Sequence, residues 1–308
     1  MRIVFMGTPE FAVPCLEALS NSKYNVVAVI TSPDKQGGRG MKNIIQSPVK
    51  KYAVEHNITV IQPINLKSKN FIRQYRDLNP DINIVIAFRM LPEIIWNYPQ
   101  FGTYNLHASL LPKYRGAAPI NRAIMNGETE TGLTTFKLQH KIDTGSIAFQ
   151  EKIQIFNEDN AGSLHDRMMA IGPGLVLKTL DAIENKSLVL HPQDDSIACD
   201  APKIFSGDCM IDWNLSSEKV LNLIRGLSPY PGAWTKLDGK TFKIFKAFKT
   251  EVNFQSKPGK IMTDTKSFME INCSDGLINL LEVQMEGKSK MDIKSFLNGY
   301  KPVNEMAG

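Results

Sequence analysis

Apolar positions in the first half of the chain come as short continuous runs separated by segments of helical period. The runs at residues 2–6, 25–31, 59–62 and 82–88 do not alternate regularly with polar residues, the pattern of strands buried on both faces of a parallel sheet, and 103–107 is a further candidate strand. Between them, residues 11–20, 48–56, 67–78 and 92–97 repeat their apolar positions at helical spacing. Strands alternating with helices predict an α/β fold with a doubly wound, mostly parallel sheet. A further helix is expected at 119–125, where Pro119 suits a first helical turn, then a strand at 132–138 and a long helix at 165–183.

The pattern changes across residues 184–208, a polar stretch with two prolines and no sustained period. It reads as a connection between domains, which places a first domain at 1–190, a linker at 191–208 and a second domain at 209–308. Beyond the linker, a short helix at 218–225 precedes alternating segments at 241–248, 268–272 and 277–284. Alternation of period two predicts a small β-barrel.

Composition agrees with this division. A chain of 308 residues with 43% hydrophobic and 22% charged residues suits a two-domain globular protein and excludes disordered or fibrous classes. The opening MRIVFMGTPEF sets one Arg before five mostly apolar residues, too short for a signal sequence or a membrane span, so a cytoplasmic location without a membrane partner is expected. Cys15, Cys199, Cys209 and Cys273 form no CxxC pair and have no histidine nearby, so neither a zinc site nor a disulfide framework is expected. The net charge of +5 is mildly basic. From Gly232 to Ser267, eight lysines, Lys243 and Lys246 among them, stand against three acidic residues; such a stripe suits a phosphate backbone, and equally a solvated face of a β-domain.

The first strand-to-helix turn, MGTPEF, offers Gly7 alone, where a dinucleotide site needs three glycines for a tight turn and close approach to the pyrophosphate. No Walker A pattern occurs. Dehydrogenase and P-loop chemistry are therefore set aside. The informative stretch is TYNLHASLLPKYRGAAPIN at 103–121. Asn105 and His107 end a strand, where alternation puts both on one face and the carboxyl end of the strand opens onto the ligand crevice of such sheets. Further on, KIDTGSI places Asp143 in an Asp-Thr-Gly turn between two β-like segments. No nucleophilic Ser or Cys has an evident partner, so direct transfer fits better than a covalent intermediate. A histidine can carry a proton near neutral pH, and an asparagine amide can donate to a developing oxyanion. Spacing alone also allows a hydrogen-bonded structural Asn-His pair.

At these residues the chain resembles the folate-dependent formyltransferases. Asn105-Leu106-His107, Ser109-Leu110-Leu111-Pro112, the loop KYRGAAPI and Asp143-Thr144-Gly145 look like that family's catalytic signature in its usual order. The segments MGTPEFAVPCLEAL, TSPDKQGGRGMK, GLSPYPGAW and LEVQMEGK extend the likeness over nearly all of the chain. The resemblance implies a catalytic first domain and an OB-like second domain that binds tRNA. It implies 10-formyltetrahydrofolate as donor and the amino group of methionine on initiator tRNA as acceptor, with no metal and a monomeric enzyme. Asn105 and His107 would stabilise the oxyanion, and Asp143 would hold His107 protonated and help relay the amine proton. The folate would lie against Ser109, Leu110, Leu111 and Pro112 and near Phe88, Arg89 and Met90. Lys35, Arg39 and Lys42, in the glycine-rich basic stretch KQGGRGMK, would meet tRNA, together with Lys243 and Lys246 of the second domain.

Two departures stand out. Phe88-Arg89-Met90 occupies a place where many relatives carry Tyr, Gly and an aliphatic residue, and QHKI before Asp143 replaces an acidic-Gly-Leu type of approach. A sugar-nucleotide formyltransferase carries almost the same signature and is the nearest alternative; a noncatalytic tRNA-binding protein is the alternative from another class.

Overall fold

The computed structural model describes residues 1–37, 43–250, 256–303 and 305–308. The chain forms two compact units. The first comprises Met1–Gly116, Thr131–Ile153 and His165–Asp200, the second Ala117–Glu130, Gln154–Leu164 and Ala201–Gly308.

Seven strands form the sheet of the first unit: β1 (Arg2–Gly7), β2 (Asn25–Ile30), β3 (Val60–Ile61), β4 (Ile82–Ile86), β5 (Thr103–His107), β6 (Glu130–Lys137) and β7 (Ile147–Gln154). Their order is β7-β6-β5-β4-β1-β2-β3. The first five run parallel to one another, and β6 runs antiparallel to β5. The chain winds one way from β1 to β3 and the other way from β4 onward, so the order reverses beside β1, where sheets of this type bind ligands.

Helices cover both faces of the sheet, as continuous apolar strands require. On one face Val4, Met6 and Val85 pack against Phe71, Tyr75 and Ile95 from the helices Lys69–Asp77 and Glu93–Trp96. On the other, Leu106 of β5 meets the long helix Ala161–Glu184 at Gly172, where a Cβ would lie 2.9 Å from Leu106 Cδ2. The first face also holds a buried polar network at the start of β5. Asn83 Nδ2 donates to Thr103 Oγ1 (2.9 Å) and to the Tyr75 hydroxyl oxygen (2.9 Å), and Thr103 Oγ1 donates to the Trp96 carbonyl (2.7 Å). Buried polar groups that are fully paired fix an arrangement that apolar packing alone would leave loose.

Two element ends differ from expectation for local reasons. The strand expected to reach residue 88 stops at Ile86, because Ala87 turns the chain with φ of +47°. The long helix begins at Ala161 rather than 165. Asn160 Oδ1 accepts from Ser163 N–H and Ser163 Oγ accepts from Asn160 N–H, both at 3.0 Å, a reciprocal cap that the small residues Ala161, Gly162 and Ser163 conceal from a periodicity reading.

The second unit is a curled antiparallel half-barrel, in keeping with the small barrel that alternation predicts and the OB-like domain that the resemblance implies. Its strands follow the order Ala233–Leu237, Lys240–Thr250, Leu277–Met285, Met269–Asn272, Ile261–Thr263, with Met291–Asp292 pairing beside Leu277–Met285. Phe242, Ile244, Ile278, Leu280 and Val283 line its inside and are covered by Val220 and Ile224 of the helix Ser217–Leu227 and by Phe296 and Leu297 of the helix Ile293–Gly299. Register shifts between Ile244 and Ala247 bend the longest strand, as bulges do where a sheet must curl. Among the described residues no helix is long and apolar enough to cross a membrane.

Candidate active site

The site forms where β5 ends in the first unit. In register, Asn105 pairs with Val85 on one side and Phe136 on the other, so Asn105 and His107 project from the same sheet face. The loop that follows is tied down through backbone and side chain together. Ser109 Oγ donates to the Lys113 carbonyl (2.6 Å), Thr134 Oγ1 donates to the Ser109 carbonyl (2.6 Å), and Leu111 N–H donates to Thr134 Oγ1 (3.1 Å). Gln150 Nε2 adds a bond to the Leu111 carbonyl (2.8 Å). Ser109, Leu111 and Pro112 are buried and Leu110 is half-buried, and the Ser109-Leu-Leu-Pro loop is tied to β6 through Thr134 and to β7 through Gln150.

His107 is 6% exposed, and both groups facing its ring nitrogens are acceptors. Nε2–H donates to the Tyr114 carbonyl (2.8 Å) and Nδ1 lies 3.7 Å from Asp143 Oδ2. Because a carbonyl can only accept, the proton on Nε2 is fixed, and Nδ1 is the nitrogen left to gain or lose a proton, beside a carboxylate. Asp143 is itself held by Gly116 N–H, which donates to Oδ2 (2.9 Å). Its backbone sits in the left-handed region with φ of +53°, which for a residue with a Cβ is sparsely populated. Gly145, two residues on, is needed for close approach: a Cβ there would lie 1.7 Å from the Lys137 carbonyl oxygen. The half-buried Asn105 carboxamide makes no hydrogen bond among the described residues; it is the donor left open beside the His107–Asp143 pair.

The structure thus brings Asn105, His107, Asp143 and the Ser109 to Pro112 loop together in one unit. Phe88 packs against the cluster of Phe71 and Tyr75. The Arg89 guanidinium donates to the carbonyls of Pro63 and Ile64, while Met90 is exposed. Burial lowers the pKa of Arg89 from its ordinary value. Lys35 is exposed at the start of a short strand pairing with Asn43–Ile45; Arg39 and Lys42 lie outside the described residues. On the half-barrel, Lys243 Nζ donates to the Pro231 carbonyl (2.8 Å), and Lys246 stands exposed opposite Glu282.

Sequence models of the formyl transferase family match residues 1–192, and those of the formyl transferase C-terminal domain match residues 203–301. The chain belongs to the formyl transferase family. A methionyl-tRNA formyltransferase of Phocaeicola vulgatus is 50% identical over 312 residues, covering 98% of this chain and 96% of that one. Among solved structures, methionyl-tRNA formyltransferase from Clostridium thermocellum superposes with a TM-score of 0.57 at 20% identity, over 88% of this chain and 98% of that one. WlaRD, a sugar 3N-formyl transferase crystallised in the presence of dTDP and 5-N-formyl-THF, reaches 0.69 at 20% identity, over 94% and 99%. At such identities the two structures speak for a shared fold, and the Phocaeicola relative carries the family likeness over the full length.

Sequence reasoning missed the residues that hold this formyl transferase site from behind. Tyr114 and Gly116 act through backbone groups and Thr134 and Gln150 through their side chains. Arg115 and Gln193 join the Asp143 turn from 28 residues before it and 50 residues after it; Gln193 Nε2 donates to the carbonyls of Asp143 and Gly145, each at 2.8 Å. The run KYRGAAPI pointed at the first of these. Nothing in the polar segment around Gln193 did.

Proposed function

We propose that this formyl transferase moves the formyl group of 10-formyltetrahydrofolate onto the α-amino group of methionine carried by initiator tRNA, for use in starting translation. The observation that carries the chemistry is an open Asn105 carboxamide beside a His107 whose free ring nitrogen faces Asp143; the full-length likeness to a methionyl-tRNA formyltransferase supports the choice of acceptor. The neutral amine attacks the formyl carbon, forming a C–N bond and a tetrahedral oxyanion. Asn105 Nδ2 donates to that oxygen, a contact worth about 3–4 kcal/mol in comparable sites. His107 helps stabilise the same oxyanion, and Asp143, paired with its Nδ1, helps relay the amine proton to the departing N10 of the folate as the old C–N10 bond breaks. Formylated methionyl-tRNA and tetrahydrofolate leave, and atoms and charge balance without a covalent enzyme intermediate.

In this reading residues 1–190 hold the catalytic domain, 191–208 link it, and 209–308 bind tRNA, the protein acting as a cytoplasmic monomer. The folate rests against Ser109 to Pro112 and close to Phe88, Arg89 and Met90. Lys35, Arg39, Lys42, Lys243 and Lys246 supply positive charge for the tRNA backbone. The test is to offer the purified protein 10-formyltetrahydrofolate with initiator methionyl-tRNA and, in parallel, with an amino-sugar nucleotide. Formylated tRNA alone is expected. Formylated sugar alone would move the chain to the sugar-nucleotide branch, and no product with either acceptor would sink the enzymatic reading.

A further inference from the structure

The Gln193 side chain has every hydrogen-bonding position filled. Its amide nitrogen donates to the carbonyls of Asp143 and Gly145, bracketing Thr144, and its oxygen accepts from Arg115 Nε (3.0 Å) and Nη2 (2.7 Å). Two carbonyls on one side and a guanidinium on the other allow only this orientation of the carboxamide, since the flipped one sets donor against donor and acceptor against acceptor. Arg115 is itself anchored: its side chain is 13% exposed, and Nη2 also pairs with Asp195 Oδ1 (2.7 Å). The next residue, Gly116, donates its N–H to Asp143 Oδ2. The segment 115–116 therefore grips the Asp143 turn twice, once at the carboxylate and once, through Gln193, at the backbone.

The turn needs such a grip. Asp143 occupies a left-handed conformation that a residue with a Cβ rarely adopts, and surrounding bonds are what hold it there. From that conformation Oδ2 reaches to 3.7 Å from His107 Nδ1.

We infer that Gln193, oriented by Arg115, is a positioning residue that sets the Asp143 carboxylate against His107. Its side-chain hydrogen bonds go to Arg115 and to the backbone of the turn, and it acts through that backbone. This rests on the proposed roles of Asp143 and His107 above.

The test is a double-mutant cycle on the full chain, with formylation of initiator methionyl-tRNA followed under steady-state conditions, and with excess enzyme for slow variants. Gln193→Ala should lower kcat about 30- to 100-fold, the scale of a displacement near 1 Å, with KM for the folate donor within about twofold. Gln193→Glu, which keeps the acceptor for Arg115 but loses both donors, should do the same while circular dichroism shows a folded protein at the assay temperature. In an Asp143→Ala background, adding Gln193→Ala should cost less than about twofold, because residues acting as a unit are not additive. Wild-type kcat in both Gln193 variants, an equal loss in the Asp143→Ala background, or a loss confined to KM would each overturn the inference while leaving the site reading intact. Full activity of Asp143→Ala alone would overturn both.

Discussion

In the proposed reaction Asn105, His107 and Asp143 divide the work by what each has left to give. Asn105 has unspent donors, His107 has one nitrogen spent on Tyr114 and one facing a carboxylate, and Asp143 is fixed by Gly116. Asn105→Ala should therefore lower kcat about 10²- to 10³-fold, as loss of an oxyanion donor does, with donor KM little changed; steady-state formylation measures it. His107→Ala should nearly abolish turnover while circular dichroism and Tm show a folded protein. The residue types and their spacing along 105–107 and 143–145 were legible in the sequence because strand alternation and turn chemistry are local. Arg115 and Gln193 were not. They are 78 positions apart, and their bond exists only after two distant loops have been brought together.

At the level of elements, the site depends on where β5 begins and where the Asp143 turn leaves β6. Thr103→Val would take the side-chain donor from the buried Trp96 carbonyl and leave Asn83 Nδ2 with only Tyr75 and Ile95 as acceptors, at a cost of about 1–3 kcal/mol, read as a lower midpoint in guanidinium unfolding. Gly145→Ala puts a methyl against the Lys137 carbonyl and should cost about 3 kcal/mol or more, with activity lost alongside stability. The central strands and their helices followed from period, since parallel strands are continuously apolar. The long helix announced its amphipathic body but not its first turn, which is made by an Asn-Ser cap. The short strands Ala233–Leu237, Ile261–Thr263 and Met291–Asp292 escaped because two to five residues carry too little pattern; tertiary pairing makes them strands.

For the molecule as a whole, acid is the condition that tests its charge arrangement. Hydrogen bonds from Lys50 and Gln62 hold the Asp34 carboxyl below its ordinary value of 3.8, those from Tyr24 and Lys23 do so for Asp181, and Ser295 does so for Asp292. A pKa lower in the folded than in the unfolded state contributes stability that is complete above the unfolded value and is lost as pH falls through the folded one. Stability against urea should thus be flat from about pH 7 to 5 and decline below about 4. Salt offers a second test. If the basic stretches contact a phosphate backbone, neutralising Arg39 should flatten the dependence of KM for tRNA on salt concentration, more than neutralising Lys246, which already stands opposite Glu282.

The hold on Asp143 has a consequence for transplantation. A designer who grafts the loop carrying Asp-Thr-Gly onto another scaffold moves the signature but leaves behind Gly116, Arg115 and Gln193, the parts that give the loop its shape. Such a chimera would satisfy a motif search and still hold its carboxylate in the wrong place. What can be exchanged between relatives is the whole set of contacts drawn from residues 105–116, 143–145 and 193, or none of it.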